Sequence, residues 1–383
     1  MKRLLIISHT GHQQLENGQV AGWGPTINEI NFLSGHWDEI VHIACLEKTA
    51  PKGSSLPYTA PNIRFVPIPT FGGKKLSQKA DIIWKAPGIL RTISNELKGT
   101  SAVQLRLPMG IGLFLLPFFA FQYRRPYTLW VKYANNWGAP SPPPGYRLQR
   151  WLLKQNFTRC KVTINGFWPK QQEHCLSFEN PCLQEKEIAD FAEIALAKPH
   201  HPPFRLIFIG RLEKEKGIYE FLDALEGPDS DLTLIRHIDF VGAGPLEQVI
   251  RARLTSKTPY TLHGFLPKEK VFKILQDAHF LVLPSHSEGF PKVIAEAAAF
   301  GVIPVVSDVG SIPHYIQHEE NGYVWAFKKG PITFGSVLQQ ALKASPQKRA
   351  VLKNRLLQLA HKFTFERYAM RIENEILNPA ACD

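Results

Sequence analysis

Short runs of apolar residues alternate with amphipathic stretches along the whole chain, and this pattern predicts an α/β fold. In the first half the predicted strands are 4–8, 39–44, 63–68, 102–105, 127–133 and 161–164. In the second half they are 206–209, 238–241, 261–263, 280–283 and 303–306. Strands that alternate with helices form parallel sheets covered on both faces. Each half is therefore predicted to be a Rossmann-like domain, with a cleft between the two.

A proline-rich segment predicts where the two domains meet. Residues 197–203 read Ala-Lys-Pro-His-His-Pro-Pro, and prolines at this density end a helix. We therefore predict a first domain over residues 1–197 and a second over 204–363. Residues 364–383 begin with apolar positions at helical spacing, which predicts a C-terminal helix. The length of 383 residues allows two domains that each bury a core.

The amino-terminal and apolar segments argue against secretion and against a membrane span. The apolar stretch after Lys2-Arg3 is too short for a signal peptide and is predicted to be the first buried strand. The longest apolar run, 107–121, contains Pro108 and Pro117 and is shorter than the roughly 20 residues of a span. The five cysteines are scattered, which is typical of a reducing compartment and not of a zinc site. These features predict a cytoplasmic protein.

The formal charge of +12 narrows the range of partners. Nucleic acid, anionic lipid and small anionic substrates all fit that sign, but no nucleic-acid-binding signature accompanies it. The segment 145–154 is predicted to be a helix with Arg147, Arg150 and Lys154 on one face and Trp151 at its edge. Such a face suits peripheral contact with an anionic membrane, at its inner face for a cytoplasmic protein. An ordinary surface helix packed by its leucines is the alternative.

Two glutamates follow the buried strand 280–283. Glu288 and Glu296 bracket the sequence Gly-Phe-Pro-Lys-Val-Ile-Ala, and eight helical steps would separate them by roughly 12 Å. The loop lies at the carboxyl end of a parallel strand, where open α/β sheets bind ligands. Two carboxylates at this distance are able to hold the two ends of a nucleotide-sugar through its hydroxyl groups. A helix-dipole charge and a solvated helix residue are the alternative interpretation of the pair alone.

A second loop begins where the strand 206–209 ends. Gly210 and Arg211 follow the strand, and Lys216 and Gly217 precede the next predicted helix. Cations beside glycines, between a strand and a helix, are suited to a diphosphate group. The neighbouring Lys214 is interpreted as a solvated charge.

Other motifs bear on cofactors, metals and further substrate contacts. The turn after Asp239 lacks the third glycine of a dinucleotide fingerprint, so no nicotinamide cofactor is predicted. Asp229-Ser230-Asp231 matches a metal-holding triplet but lies in a turn sequence, so no metal is predicted. Gly24 lies near the end of a long loop, 9–26, which is predicted to approach the donor phosphates or to be a flexible surface loop. Arg106 follows a strand of the first domain and is predicted to contact the acceptor or the leaving group.

The ordered set of motifs in the second half resembles the retaining glycosyltransferases of the GT-B fold, family 4. The matching sequences are Gly210-Arg211 with Lys216-Gly217, 241–245, 263–265, Pro284-Ser285, 288–296 and Asn321-Gly322. The resemblance covers roughly residues 204–325 and is much thinner before residue 200. It implies two Rossmann-like domains facing across a cleft, with the C-terminal helix returning to the first domain.

The resemblance also implies roles for individual residues. Arg211 and Lys216 would bind the donor diphosphate, Glu288 would contact the hexose and Glu296 the ribose, while backbone amides of 289–293 would hold the sugar and phosphates. The predicted catalytic residues are Arg211, Lys216 and Glu288. The predicted substrate-binding residues are Gly24, Arg106, Gly210, Gly289, Phe290, Pro291, Lys292, Val293 and Glu296.

The expected activity is metal-independent, retaining transfer of a hexose. The donor would be a nucleoside-diphosphate sugar, and the acceptor a saccharide or a lipid-linked saccharide in polysaccharide or glycolipid synthesis. A nucleotide-sugar epimerase of the same fold and a catalytically silent nucleotide-sugar-binding module are the alternatives. Two departures from the family pattern bear on sugar specificity. Pro291 stands where many members have glycine, and His314 where many have glutamate.

Overall fold

The computed structural model describes residues 1–50, 53–73, 76–122, 124–199, 201–228, 230–254 and 258–379, without the side chains of 76–80. The chain divides into two compact units. Unit 1 consists of Met1–Glu179 and the chain from Tyr368 onward, and unit 2 consists of Asn180–Arg367. These divisions differ from the predicted boundaries at 197 and 364, because the helix that ends at Ala197 belongs to unit 2.

Unit 1 is built on one sheet with helices on its two faces. The described strands are β1 (Arg3–Gln14), β2 (Val20–Trp23), β3 (Glu39–Leu46), β4 (Ser55–Pro57), β5 (Ile63–Ile68), β6 (Ala102–Leu107), β7 (Thr128–Tyr133), β8 (Lys161–Ile164) and β9 (Cys175–Ser177). The described helices are α1 (Gly24–Leu33), α2 (Leu76–Glu96), α3 (Gly112–Ala120) and α4 (Pro144–Lys154).

The main part of this sheet is parallel and runs β5-β3-β1-β6-β7-β8-β9. Its first six strands in chain order thus lie in the order 3-2-1-4-5-6 that is typical of Rossmann folds. Alternate residues of β1 reach opposite faces: Leu5 and Ile7 join one buried cluster, and Leu4 and Ile6 join another. This two-sided burial is what a parallel sheet covered by helices requires.

The predicted long loop 9–26 is instead a β-hairpin that leads into helix α1. β1 continues to Gln14, and β2 pairs antiparallel with its end, His12 opposite Gly22. A side chain at position 22 would meet the His12 ring at 2.4 Å, so glycine is needed for this close pairing. The segment is therefore not the irregular, flexible loop that was one of the two interpretations, and its approach to the phosphates stays a prediction.

Unit 2 contains the second sheet. Its strands are β10 (Phe204–Ile209), β11 (Ile235–Val241), β12 (Tyr260–Gly264), β13 (Phe280–Leu283), β14 (Ile303–Ser307) and β15 (Tyr323–Trp325). Its helices are α5 (Glu185–Ala197), α6 (Ile218–Glu226), α7 (Glu247–Arg253), α8 (Lys268–Asp277), α9 (Lys292–Ala299), α10 (Phe334–Lys343) and α11 (Pro346–Ala360). Helix α12 (Phe365–Arg371) continues as a π-helix, Ile372–Leu377, and enters unit 1 at Tyr368.

The strands of unit 2 lie in the order β12-β11-β10-β13-β14-β15, and all are parallel. This is again the order 3-2-1-4-5-6. Strands β11 and β12 extend the sheet on one side of β10, and β13, β14 and β15 extend it on the other, so the strand order reverses between β10 and β13. The crevice outside the carboxyl ends of these two strands is where such a fold binds ligands. The predicted class, two Rossmann-like α/β domains, is confirmed.

The longest apolar run is divided between two elements. It forms the end of β6 and helix α3, which has nine residues. Within the described chain, no helix has the length and apolar character needed to cross a membrane.

Candidate functional site

The loop that follows β10 reaches across to the end of β13, and Gly217 allows it to do so. Gly217 has a φ of 79°, and a Cβ at this position would lie 2.0 Å from the carbonyl oxygen of Pro284. Any other residue would therefore push the two loops apart. The contact places both predicted loops at the point where the strand order of unit 2 reverses.

Lys216 and Glu288, predicted separately from the two loops, meet there. The Lys216 ammonium lies 2.5 Å from the Glu288 carboxylate, and their side chains are 25% and 10% exposed. Partial burial strengthens an ion pair relative to one in bulk water and still leaves its atoms accessible to a ligand. The structure thus joins two residues that are 72 positions apart in the sequence.

The loop after β14 fixes the backbone of Glu288 and Gly289. Gly310 has a φ of 59°, and a Cβ on it would lie 2.0 Å from the Glu288 carbonyl oxygen. The backbone N–H and the hydroxyl of Ser311 donate to the Gly289 carbonyl oxygen over 2.9 and 3.0 Å. The carboxylate of Glu288 is therefore presented on a backbone held by a neighbouring loop.

His286 also holds this loop, although it is not among the predicted site residues. Its backbone N–H donates to the Glu215 carbonyl oxygen over 2.9 Å, and its Nε2 lies 2.7 Å from a carboxylate oxygen of Glu220. Its ring stacks on Phe327, with 4.8 Å between the ring centroids. The sequence did offer a signal for His286, because this residue lies only two positions before Glu288. A side chain so close in the same loop is expected to contact the groups that position the Glu288 carboxylate.

Unpaired backbone N–H groups line the segment between Glu288 and helix α9. The helix begins at Lys292, and no side chain caps its amino terminus. Within the described part of the chain, the N–H groups of Gly289, Phe290, Lys292 and Val293 have no hydrogen-bond partner. Free N–H groups at a helix start attract anions such as phosphate. Pro291, at the N-cap position, has no N–H to add.

Two predicted binding residues of this segment point their side chains elsewhere. The Phe290 ring is buried and stacks on Phe363, with centroids 4.8 Å apart. The Lys292 ammonium donates to the carbonyl oxygen of Pro181 over 2.7 Å. A ligand would therefore meet the backbone of these two residues and not their side chains.

Glu296 lies in helix α9, and its carboxyl group is half-buried. Burial raises its pKa, against the lowering effect of Lys268 and Lys292. Among the described residues, its carboxylate makes no hydrogen bond and no ion pair. A half-buried carboxylate without a partner is energetically costly, and it gains from hydroxyl groups that donate to it.

The remaining predicted residues of unit 2 have different environments. The Arg211 side chain is 75% exposed and lies 2.8 Å from Glu213. Gly210 donates its N–H to the Val241 carbonyl oxygen over 2.9 Å, and a Cβ on Gly242 would lie 1.9 Å from the carbonyl oxygen of Gly210. Gly210 therefore has its backbone occupied by loop packing. His314 lies in a 3₁₀ turn, and burial lowers its pKa.

The predicted contacts in unit 1 are engaged internally. The Gly24 N–H donates to the Ser54 carbonyl oxygen over 2.9 Å. The Arg106 guanidinium lies 2.9 Å from Glu29 and donates to Gln104 over 2.7 Å. Arg106 is buried in an internal ion pair, whereas it was predicted to contact the acceptor or the leaving group.

The described residues contain no group of three His, Cys, Asp or Glu side chains that could hold a metal ion. Asp229, from the acidic triplet considered above, lies outside the described residues. Asp231 accepts a hydrogen bond from the N–H of Thr233 and so caps a 3₁₀ turn, Leu232–Leu234.

Comparison with known sequences finds a family match that lies within unit 2. Residues 193–356 match the family described as glycosyl transferases group 1. A putative teichuronic acid biosynthesis glycosyltransferase, TuaC of Bacillus subtilis, is 37% identical over 106 residues, which are 28% of this chain and 25% of that protein. The D-rhamnosyltransferase WbpZ of Pseudomonas aeruginosa is 32% identical over 127 residues, 32% of each chain. The chain spans between a quarter and a third of the length of these two relatives.

Comparison with solved structures extends over nearly the whole chain. A sucrose-phosphate synthase from Thermosynechococcus elongatus superposes with a TM-score of 0.67 at 16% identity, over 97% of this chain and 98% of the other. HepE of Anabaena, solved in complex with UDP, superposes with a TM-score of 0.61 at 13% identity, over 97% and 98%. At such low identity these matches establish the fold, and it is the predicted GT-B fold.

Proposed function

We propose that this protein is a retaining glycosyltransferase that moves a hexose from a nucleoside-diphosphate sugar to a saccharide or lipid-linked saccharide. The observation that carries this proposal is the Lys216–Glu288 pair, set beside unpaired N–H groups where the strand order of unit 2 reverses. The match of residues 193–356 to glycosyl transferases group 1 supports it independently.

In the proposed complex, the diphosphate lies against the start of helix α9 and contacts two cationic side chains, Lys216 and Arg211. The free N–H groups of Gly289 and Val293 donate to phosphate oxygens, and the Lys216 ammonium neutralises charge on them. Arg211 is exposed enough to swing from Glu213 to the ligand. Glu296 accepts hydrogen bonds from the ribose hydroxyls, which gives its carboxylate the partners that it lacks within the described protein.

The chemistry proposed is charge stabilisation with positioning. The bond between the anomeric carbon and the diphosphate breaks as the acceptor oxygen forms the new glycosidic bond, and the proton of the acceptor hydroxyl passes to the departing diphosphate oxygen. Negative charge then grows on the departing diphosphate, where Lys216 and Arg211 are placed to stabilise it, so no metal ion is needed. Glu288 contacts the hexose and, through its ion pair, holds the Lys216 ammonium in position.

The test is a thermal-shift panel of UDP, ADP and GDP and their glucose conjugates, each with and without EDTA. UDP comes first because HepE was solved with UDP and with UDP and glucose. A ligand at 100 times its dissociation constant stabilises the protein by about 2.7 kcal/mol, so one base should stand out. Absence of any shift, or a shift that EDTA abolishes, would contradict the proposal.

A further inference from the structure

The net charge of this protein is concentrated in one segment of unit 1. Residues 97–172 contain eleven Lys and Arg residues and no Asp or Glu. The other 307 residues hold 34 basic and 33 acidic residues and are almost neutral. One fifth of the chain thus carries eleven of the twelve net positive charges, and Arg124, Arg147, Lys154 and Arg159 are exposed there.

Helix α3, in the same segment, is apolar on all sides but is only partly covered. Its sequence, Gly-Leu-Phe-Leu-Leu-Pro-Phe-Phe-Ala, contains no polar side chain. Leu115, Leu116 and Phe119 are buried, whereas Leu113 is exposed and Phe121, directly after the helix, is 81% exposed. A helix that is apolar all round normally lies inside a protein, so its open side implies contact with an apolar partner.

Helix α4 packs beside α3 and turns its basic face outward. Gln149 is buried and holds α4 to the loop before α3, through the N–H and the carbonyl oxygen of Met109 over 3.3 and 2.8 Å. Opposite this anchored side, Arg147, Trp151 and Lys154 follow one another at helical spacing, and Trp151 is 55% exposed. Arg150 belongs to the flank, because its guanidinium donates to the Trp137 carbonyl oxygen over 2.6 Å.

We propose that the exposed sides of α3 and α4 form a docking surface for an anionic lipid bilayer. Exposed aromatic and aliphatic side chains enter the interface, and the arginines and lysines around them attract the headgroups, as in an interfacial helix. A nucleic-acid duplex would meet the same charges, but its bases are stacked on one another and offer no apolar surface to an exposed Leu113 or Phe121. Compared with the membrane-contacting helix predicted from the sequence, this surface also includes α3 and no longer includes Arg150. The docking proposal stands or fails separately from the proposed transferase activity.

The test is co-sedimentation of the full chain with vesicles of equal phosphatidylcholine and phosphatidylglycerol, with pure phosphatidylcholine for comparison. Binding is expected to the anionic vesicles at about 0.01 M salt and to weaken strongly at about 1 M, where the Debye length falls from about 30 to about 3 Å. Hydrogen exchange of α3 and α4 should slow in the bound protein.

Two variants separate charge from apolar insertion. Arg147→Gln with Lys154→Gln should weaken vesicle binding about thirtyfold, because each basic residue contributes about 1 kcal/mol at such a surface. Phe121→Ser with Trp151→Ser should weaken it about tenfold or more, and the binding that remains should be abolished by high salt. The matched control, Lys270→Gln with Lys343→Gln, removes two exposed charges from unit 2 and should change nothing.

Each of the following results would overturn the proposal. One is no binding to anionic vesicles at low salt by the folded protein. Another is equal binding by the Arg147→Gln, Lys154→Gln variant and the control. A third is retention of vesicle binding by the Phe121→Ser, Trp151→Ser variant together with tight binding of duplex DNA, which would identify a nucleic-acid surface. Because all four side chains are exposed, the variants should melt with the wild-type protein.

Discussion

The two units share a strand order, but a charged cluster in unit 1 is buried and fully paired, whereas one in unit 2 remains accessible. In unit 1, Glu29 is buried between Arg106 and Lys132, at 2.9 and 2.7 Å, and also accepts from the Tyr368 hydroxyl over 3.0 Å. In unit 2, the Lys216–Glu288 pair remains partly exposed, and Glu296 has no partner among the described residues.

This difference separates charges that maintain the fold from charges that are available to a ligand. The unit 1 network satisfies every one of its ions and connects helix α1, two strands and the C-terminal helix. Lys216 and Glu288 follow the strand ends where the strand order reverses, which is the usual ligand position, and Glu296 lies in the helix that comes next. A chemically suggestive residue is therefore best judged by whether its hydrogen-bonding groups are already used.

The largest expected effect comes from opening the unit 1 network. Glu29→Gln leaves the Arg106 and Lys132 cations buried without a countercharge, and we expect a loss of about 3–5 kcal/mol of stability. Differential scanning calorimetry should show an earlier transition. Glu247→Gln, which breaks an exposed pair with Arg251, is the control and should change stability by less than about 1 kcal/mol. An unchanged transition in Glu29→Gln would mean that the network is not structural.

Lys216→Ala tests the proposal that the charges of unit 2 are available to a ligand. Loss of this cation should cost about 2–4 kcal/mol of transition-state stabilisation, measured as kcat/KM once the donor base is known, with little change in melting. Lys214→Ala is a close control, because Lys214 is exposed in the same 3₁₀ turn. Equal activities of the two variants would remove Lys216 from the site.

At the amino-terminal edge of the unit 2 sheet, both ring nitrogens of His279 are hydrogen-bonded. We therefore expect His279, like the unit 1 network, to contribute to the stability of the fold. His279 Nδ1 accepts from the Arg205 N–H over 3.1 Å, and Nε2 donates to the Pro199 carbonyl oxygen over 2.9 Å. Burial, with a smaller effect of Lys198, lowers the pKa of His279 to about 4 from the usual 6.5.

Between pH 6.5 and pH 4 the unfolded state then binds the proton and the folded state does not. Stability should fall by about 3 kcal/mol as the pH decreases through this range. Urea unfolding of the wild type and of His279→Gln across this pH range isolates the contribution of His279 to stability. The unfolding free energy of the variant should lack the part of the pH dependence that comes from this residue. Parallel pH profiles would show that His279 is not held neutral.

The sequence predicted best what depends on local pattern. Three strands have the predicted bounds, because short apolar runs between turn residues mark parallel strands: Ile63–Ile68, Lys161–Ile164 and Phe280–Leu283. The hairpin of β1 and β2 was missed, since His12, Gln13 and Gln14 are polar and their strand depends on a tertiary partner. β15 has only three residues and gives too little pattern to recognise.

The same distinction applies to the charged residues. The loop positions of Lys216 and Glu288 were visible in the sequence, because strand ends and glycines mark them. The partners of Glu29 were not visible, because Arg106 and Lys132 are 77 and 103 positions away. The sequence around Glu29 contains no sign of its partners. An arginine that follows a strand, such as Arg106, is interpreted as a ligand contact until its partner is known.

The central claim is that unit 2 leaves charges open for a nucleotide-sugar, and calorimetric titration with the nucleoside diphosphate tests it most directly. Glu296→Gln should weaken that binding by about 1–3 kcal/mol, because an amide replaces the charged acceptor of the ribose hydroxyls. Glu288→Gln, a change of the same kind at the proposed hexose contact, should leave the affinity nearly unchanged. The reverse order of the two variants, or wild-type affinity in both, would contradict the account.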